Sequence, residues 1–333
     1  MKHHLHKWFG FGSPPGTIDA KGSTDPIKLR SLGDVPGLYR SIDLERPTNS
    51  SRSALGLTLP DCPLVSVIMT AFNTAPWIET AMHSILGQTW SNLELIVVDD
   101  CSGDETLELV SAIARRDSRV RILSMKSNTG TYIAKNRGIG LAEGEVLTFM
   151  DSDDRALPNR IERQLHLLRE PGLVATTCNY IRLTQDREIV LNRGLQERQS
   201  LISLMIKDRV VDEIGYFDSV RTSADDEYFE RLRHVYGRSA HANVREPLYE
   251  ALLRDNSLTT TPENSNHLSA ENDSEFLSAA RVEYVARYRA WYALLARDGK
   301  RPYIPFPIAQ RPFDSPTALL NATHTLTEPC LLP

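Results

Sequence analysis

Gly144-Glu145-Val146-Leu147-Thr148-Phe149-Met150-Asp151-Ser152-Asp153-Asp154 is the stretch that decides how this chain is read. The near-continuous apolar, β-favouring run from Val146 to Met150 has the character of a strand buried on both faces. It leads directly into three carboxylates within four positions. Charges at that density are too costly to bury unpaired, so the strand must end where the sheet opens to solvent. In open α/β sheets that edge is where ligands bind. An Asp-x-Asp turn can aim two hard oxygens at one divalent cation, with water and phosphate oxygens filling the other positions. The same residues also suit a solvated turn capping the helix that Pro158 opens, and the motif alone does not separate the two readings.

Working upstream, Leu64-Val65-Ser66-Val67-Ile68-Met69 is a buried-strand run, followed by a helix begun near Pro76 with Ile78, Met82, Ile85 and Leu86 on one face. A second strand, Leu93 to Val98, ends in Asp99-Asp100. Asp104 is placed to cap the next helix, whose Leu107, Val110 and Ile113 share a side. Val120 to Ser124 reads as a third strand and Tyr132 to Leu141 as a helix. Strands alternating with helices require right-handed crossovers and a mostly parallel sheet. The acidic pairs at 99–100 and 151–154 both end strands, so both belong on one edge of that sheet.

Downstream, Ile161, Leu165 and Leu168 mark a helix. Leu173 to Tyr180, Glu188 to Leu191 and Leu201 to Ile206 read as strands, and Gly215 ends a short helix over Val210 to Ile214. In Ser223-Ala224-Asp225-Asp226-Glu227-Tyr228 the acids crowd a helix N-terminus, where the macrodipole favours negative charge; simple capping would account for one of Asp225 and Asp226. Residues 255–272 read as a polar linker, Phe276 to Leu295 as a long helix whose aromatic stripe suits packing, and the Pro-rich end as an irregular wrap. Residues 1–62 read as an extended, poorly structured arm. On it, His3, His4 and His6 read as a solvated tail, and Trp8-Phe9-Gly10-Phe11 is a candidate for docking on a partner or membrane surface.

The 333 residues, 41% apolar, suffice for a sizeable core, and a net charge of −5 argues against a dedicated nucleic-acid binder. Cys62, Cys101, Cys178 and Cys330 have neither zinc-ligand nor disulfide-framework spacing, which suits a reducing compartment. With no spanning apolar run and no signal-peptide core, the expectation is a cytoplasmic protein, free or peripheral at the inner face of the membrane.

Together, Val65 to Asn73, Ser84-Ile85-Leu86-Gly87-Gln88-Thr89, Glu94 to Asp104, Asn128-Thr129-Gly130 with Ala134-Lys135-Asn136-Arg137-Gly138, and Asp151-Ser152-Asp153-Asp154 resemble, in order, the family 2 glycosyltransferases. The resemblance covers Pro63 to about Thr260 and implies the GT-A nucleotide-diphosphosugar transferase fold over residues 63–255. That fold is an α/β domain with a mostly parallel central sheet flanked by helices, here followed by a helical C-terminal extension over 256–333. It also implies a nucleotide-sugar donor, most commonly a UDP-sugar, a glycan or lipid-linked acceptor, a divalent cation (Mn²⁺ or Mg²⁺), and inversion at the anomeric carbon. By the same resemblance Thr70, Phe72, Asn73, Asp100, Lys135, Asp151 and Ser152 contact the donor, Asp153 ligates the metal, and Asp151 joins it directly or through water. Thr70 and Phe72 stand where many members carry Pro and Tyr. Lys135 stands where Arg is commoner, which keeps the charge but loses the bidentate fork.

The family's general base is an Asp with Glu two residues on and Arg six residues on. Asp225, Glu227 and Arg231 keep that register, with Asp226 as rival because Ala224 replaces the Glu that often precedes the base. The Gln-x-x-Arg-Trp motif of processive synthases is absent from the sequence, so transfer of single sugars is expected. A dehydrogenase would show Gly-x-Gly-x-x-Gly after its first strand, where Thr70-Ala71-Phe72-Asn73 stands instead. A nucleotidyltransferase would want a Gly-rich basic loop at the same place. An inactive scaffold of the same fold is the remaining alternative, and the complete acidic set argues against it.

Overall fold

The computed structural model describes residues 38–40, 59–191, 194–254 and 278–320. The tail histidines, the Trp8–Phe11 segment and the 255–272 linker lie outside the described residues. The first strand, β1 (Leu38–Arg40), falls within the segment read as an arm and pairs in parallel with β4 (Val120–Ser124). The apolar runs form β2 (Val65–Ala71), β3 (Leu93–Asp99) and β5 (Val146–Asp151), linked by α1 (Ile78–Leu86), α2 (Thr106–Ala114) and α3 (Thr131–Leu141).

β2 pairs in parallel with both β3 and β5, and β3 with β4, as helical crossovers require. Thr70 lies opposite Val98 on one side and Asp151 on the other, so the strands carrying the acidic pairs emerge level at one edge. Side chains alternate between two apolar layers. Ile68, Ile96 and Phe149 face the layer shared with α3, whereas Val67, Met69, Leu95 and Met150 face α1 and α2. Both layers are buried, and this is why the strands read as continuous apolar runs rather than alternating ones.

Beyond β5 come β6 (Arg155–Ala156), α4 (Arg160–Leu168), β7 (Ala175–Leu183), β8 (Ile189–Val190), β9 (Arg198–Lys207), α5 (Arg209–Ile214), α6 (Ala224–Tyr236) and β10 (His241–Leu252). The sheet order is β1-β4-β3-β2-β5-β9-β7-β10-β6, with β8 attached to β7. The parallel expectation describes the half from β1 to β5. The other half is mixed, because β9 runs antiparallel to β5 and β7, and β6 antiparallel to β10. The segment joining β7 to β9 contains no helix among the described residues, and a connection without a helical crossover brings the chain back antiparallel. β10 is invisible to sequence reasoning because Pro247 sits inside it. Its pairing with β7 shifts register on both sides of that residue, which is how a strand accommodates a missing N–H.

Helix α7 (Ala279–Arg297) buries Tyr284, Tyr288 and Tyr292 at spacings of four against the layer that holds α6, the packing role its spacing implies. Residues 301–320 return across the α5–α6 connection. Gly215 bridges Ile304, Tyr216 N–H donates to the Ile304 carbonyl at 2.8 Å, and Arg311 pairs with the fully buried Asp218. Gly215 has φ +82, and a Cβ there would lie 2.0 Å from the Ile304 carbonyl oxygen, so both the turn and the close approach require glycine.

Candidate active site

Five of the residues singled out in the sequence, Thr70, Asp100, Lys135, Asp151 and Asp225, meet around the first turn of α3. Just before the helix, Asp100 accepts hydrogen bonds from Thr129 N–H (2.8 Å), Thr129 Oγ1 (2.9 Å) and Gly130 N–H (2.7 Å). Its own N–H donates to the Ala71 carbonyl at 2.8 Å. Asp100 therefore ties the ends of β2 and β3 to the helix start, where Gly130 takes φ +91. One turn along, Lys135 Nζ lies 3.2 Å from Asp151 Oδ1. Between them, Tyr132 donates its hydroxyl to Asp225 Oδ1 at 2.6 Å. Tyr132 and Lys135 are three residues apart and share a helix face, with the ammonium 5.7 Å from the ring centroid. Thr70 Oγ1 completes the ring of contacts at 3.0 Å from Thr131 Oγ1.

Asp225 and Asp226 have different partners. Asp225 accepts from Tyr132 of α3, while Asp226 faces Arg281 of α7 at 3.6 Å with its side chain 47% exposed. Glu227 and Arg231 are fully buried and ion-paired at 3.0 Å. Glu227 also accepts from the Tyr292 hydroxyl at 2.7 Å, and Arg231 donates to the carbonyls of Ile214 and Tyr216. Burial pushes the Glu227 carboxyl up to about 7 against the opposing pull of Arg231 and Tyr292. The Asp-x-Glu-x-x-x-Arg register thus has a physical reading: the Glu and Arg, four apart, anchor the helix in the core and leave the leading Asp to meet Tyr132 of α3.

The acidic turn divides in the same way. Asp154, one of the three carboxylates expected at the solvent edge, is buried. It accepts from the Tyr249 hydroxyl and the Leu252 N–H, both at 2.8 Å, and burial together with Asp153 and Asp151 pushes its carboxyl well up. It pins the turn to β10. Tyr249 in turn accepts from the Asp151 N–H at 3.2 Å. Asp153 pairs with Arg254; burial, then the neighbouring Asp151 charge, raises its carboxyl, and Arg254 opposes this.

Asp151 and Asp153 are hard oxygen donors held close enough to repel, an arrangement that a divalent cation relieves. Among the described residues no group of three His, Cys, Asp or Glu side chains forms a closed metal cage. The donor set fits an ion that takes its remaining ligands from a diphosphate and water.

Other expected residues stand apart from this cluster. Asn73 takes φ +51, accepts from Gly103 N–H at 2.8 Å and donates its N–H to Ser102 Oγ at 3.0 Å, stitching the loops after β2 and β3 together. Phe72 is 43% exposed on the first of those loops, and Ser152 is buried within the acidic turn. Sequence reasoning missed Tyr132, Tyr249 and Arg254. The first carries a signal, three residues before Lys135 on one helix face; the other two belong to, or follow, the strand that Pro247 conceals.

Residues 66–229 match the family model described as glycosyl transferase family 2. The putative teichuronic acid biosynthesis glycosyltransferase TuaG of Bacillus subtilis is 34% identical over 124 residues, covering 37% of this chain and 49% of that protein. The succinoglycan biosynthesis protein ExoO of Rhizobium meliloti is 42% identical over 103 residues, covering 31% of this chain and 29% of that protein. Among solved structures, S. aureus TarS 1-349 in complex with UDP is similar at 20% identity and a TM-score of 0.49, covering 57% of this chain and 60% of that one. The matched stretch spans half or less of the length of these curated relatives. An α/β sheet, an acidic turn at its open edge and a match from the first core strand into α6 make this chain, through residues 66–229, similar to glycosyl transferase family 2.

Proposed function

We propose that this chain transfers a single sugar, with inversion, from a nucleoside diphosphate donor to an acceptor hydroxyl, and that Asp225 is the general base. The observation that carries this reading is the link Asp225–Tyr132–Lys135–Asp151, which brings a candidate base and the Asp-x-Asp turn to one helix terminus. In the reaction the acceptor oxygen bonds to the anomeric carbon as the bond from that carbon to the diphosphate oxygen breaks. The acceptor proton passes to Asp225, and negative charge collects on the departing diphosphate.

Each residue has a physical part in that step. The N-terminus of α3 and the Lys135 ammonium stabilise the diphosphate charge. Asp151 and Asp153 would hold a Mn²⁺ or Mg²⁺ ion, which supplies Lewis-acid stabilisation of the leaving group when bound. Asp100 receives three donors from the chain, and a carboxylate has about four acceptor sites, so one is left for a base N–H such as the imide of uracil. A UDP-sugar is the donor this supports. The names of the relatives, in teichuronic acid and succinoglycan biosynthesis, support a glycan or lipid-linked saccharide as acceptor.

The test compares Asp225→Asn with Asp226→Asn. Asp225→Asn is expected to bind UDP with Mn²⁺ as the unmodified chain does while transfer falls by about 10²–10⁴-fold. Asp226→Asn is expected to stay within a few-fold of full activity. A reversed order, or a fully active Asp225→Asn, overturns the assignment.

A further inference from the structure

Thirteen residues of α6 separate two chemically different ends. The first turn carries Asp225. The last turn opens into a cavity of about 310 Å³ between α6 and α7, lined by Arg233, His234, Arg238 and Arg289 with Tyr292 as its floor and Glu230 as its carboxylate. Three guanidiniums from α6, the turn after it and α7 therefore converge on one space in a protein whose net charge is −5. Glu230 does not balance them: it is shared at 3.7 Å with Arg233 and at 4.0 Å with Arg289, distances of loose ion pairs. Arg233 lies over the Phe229 ring at 5.2 Å. Convergent like charges repel, and a multiply charged oxyanion relieves that repulsion.

We infer that this cavity binds a phosphate-class dianion, such as a diphosphate group, at a site separate from the donor cleft. Its volume exceeds that of a few water molecules, each about 30 Å³, and accommodates a diphosphate. Nine residues of helix, about 13 Å along the axis, part His234 from Asp225, so one ligand phosphate group does not serve both places. The two ends nonetheless share a contact. The His234 ring stacks on Tyr292 at 5.0 Å, and Tyr292 donates to Glu227 at the start of α6. The same chemistry is presented by free diphosphate and by a phosphomonoester lipid headgroup.

Calorimetry of the full chain with inorganic pyrophosphate, in EDTA and near-physiological salt, tests the site. Arg238 and Arg289 are both exposed, so Arg238→Gln/Arg289→Gln is compatible with the fold, which an unchanged melting temperature checks. The expected result is pyrophosphate binding weakened by about tenfold or more in the double variant, with UDP–Mn²⁺ binding unchanged. Co-sedimentation with phosphatidylcholine vesicles carrying phosphatidic acid identifies the source. Retention lost in the double variant supports a headgroup ligand, and pyrophosphate binding without retention supports a free one. Equal pyrophosphate affinity in the double variant, displacement of pyrophosphate by UDP in EDTA, or no binding in either arm overturns the proposal. UDP–Mn²⁺ binding and transfer, measured separately, report on the donor cleft alone.

Discussion

Replacing Tyr132 by Phe removes one oxygen and keeps the ring, which packs 5.7 Å from Phe217 within the core. The change deletes the 2.6 Å hydrogen bond to Asp225 and nothing else of size. A carboxylate released from Tyr132 samples other rotamers, and misplacement by about 1 Å lowers a rate by about 10²-fold. The net expectation is a fall in kcat of about 10- to 50-fold, or about 1.4–2.3 kcal/mol of transition-state stabilisation.

Stability should change little, by about 1 kcal/mol, because water can solvate the half-exposed Asp225 once the phenol is gone. The assay is steady-state transfer from a UDP-sugar, with donor KM and melting temperature measured on the same preparations. A double-mutant cycle with Asp225→Asn sharpens it: if Tyr132 acts only through Asp225, the double variant is no slower than Asp225→Asn alone. Transfer by Tyr132→Phe within twofold of the unmodified protein would refute the positioning argument. So would a fall in activity matched by a collapse in melting temperature.

Asp153→Ala is expected to weaken Mn²⁺-dependent UDP binding by about tenfold or more, read by calorimetry with and without Mn²⁺; equal affinity would remove Asp153 from the metal site. Glu227 holds a proton up to about pH 7 in the folded chain against 4.5 when exposed, so the folded state binds more protons between those values and stability declines as pH rises through them. The whole window is worth about 3 kcal/mol, and Glu227→Gln should flatten the decline in urea denaturation series run at pH 5 and pH 8. Gly215→Ala forces a Cβ against the Ile304 carbonyl at a positive φ and should cost about 2–4 kcal/mol, seen as a melting temperature about 5–10 °C lower.

Much of this architecture is legible in the linear chain. Continuous apolar runs such as Val146–Met150 announce strands buried on both faces, and their alternation with one-sided helices forces a parallel block whose C-terminal ends share an edge. The convergence of Asp100 and Asp151 follows from that alone. The register of Asp225, Glu227 and Arg231 was readable only through the family resemblance; helical spacing adds that Glu227 and Arg231, four apart, share a face. What the periodicity could not say was which face meets the cleft, or that Asp154 turns inward.

Those outcomes depend on partners distant in sequence. Tyr132, 93 residues from Asp225, donates to it, and Tyr249, 95 residues from Asp154, draws that carboxylate into the interior. The same holds for β10, whose Pro247 breaks the pattern that local reasoning relies on, and for the arginines that α6 and α7 bring to a common cavity. Local pattern records how a segment alternates between water and core; it carries no information about which polar group stands across the gap. Hydrogen bonds and ion pairs are short-ranged and directional, so the chemistry of this site was decided only when the sheet had closed and set those partners within 3 Å of one another.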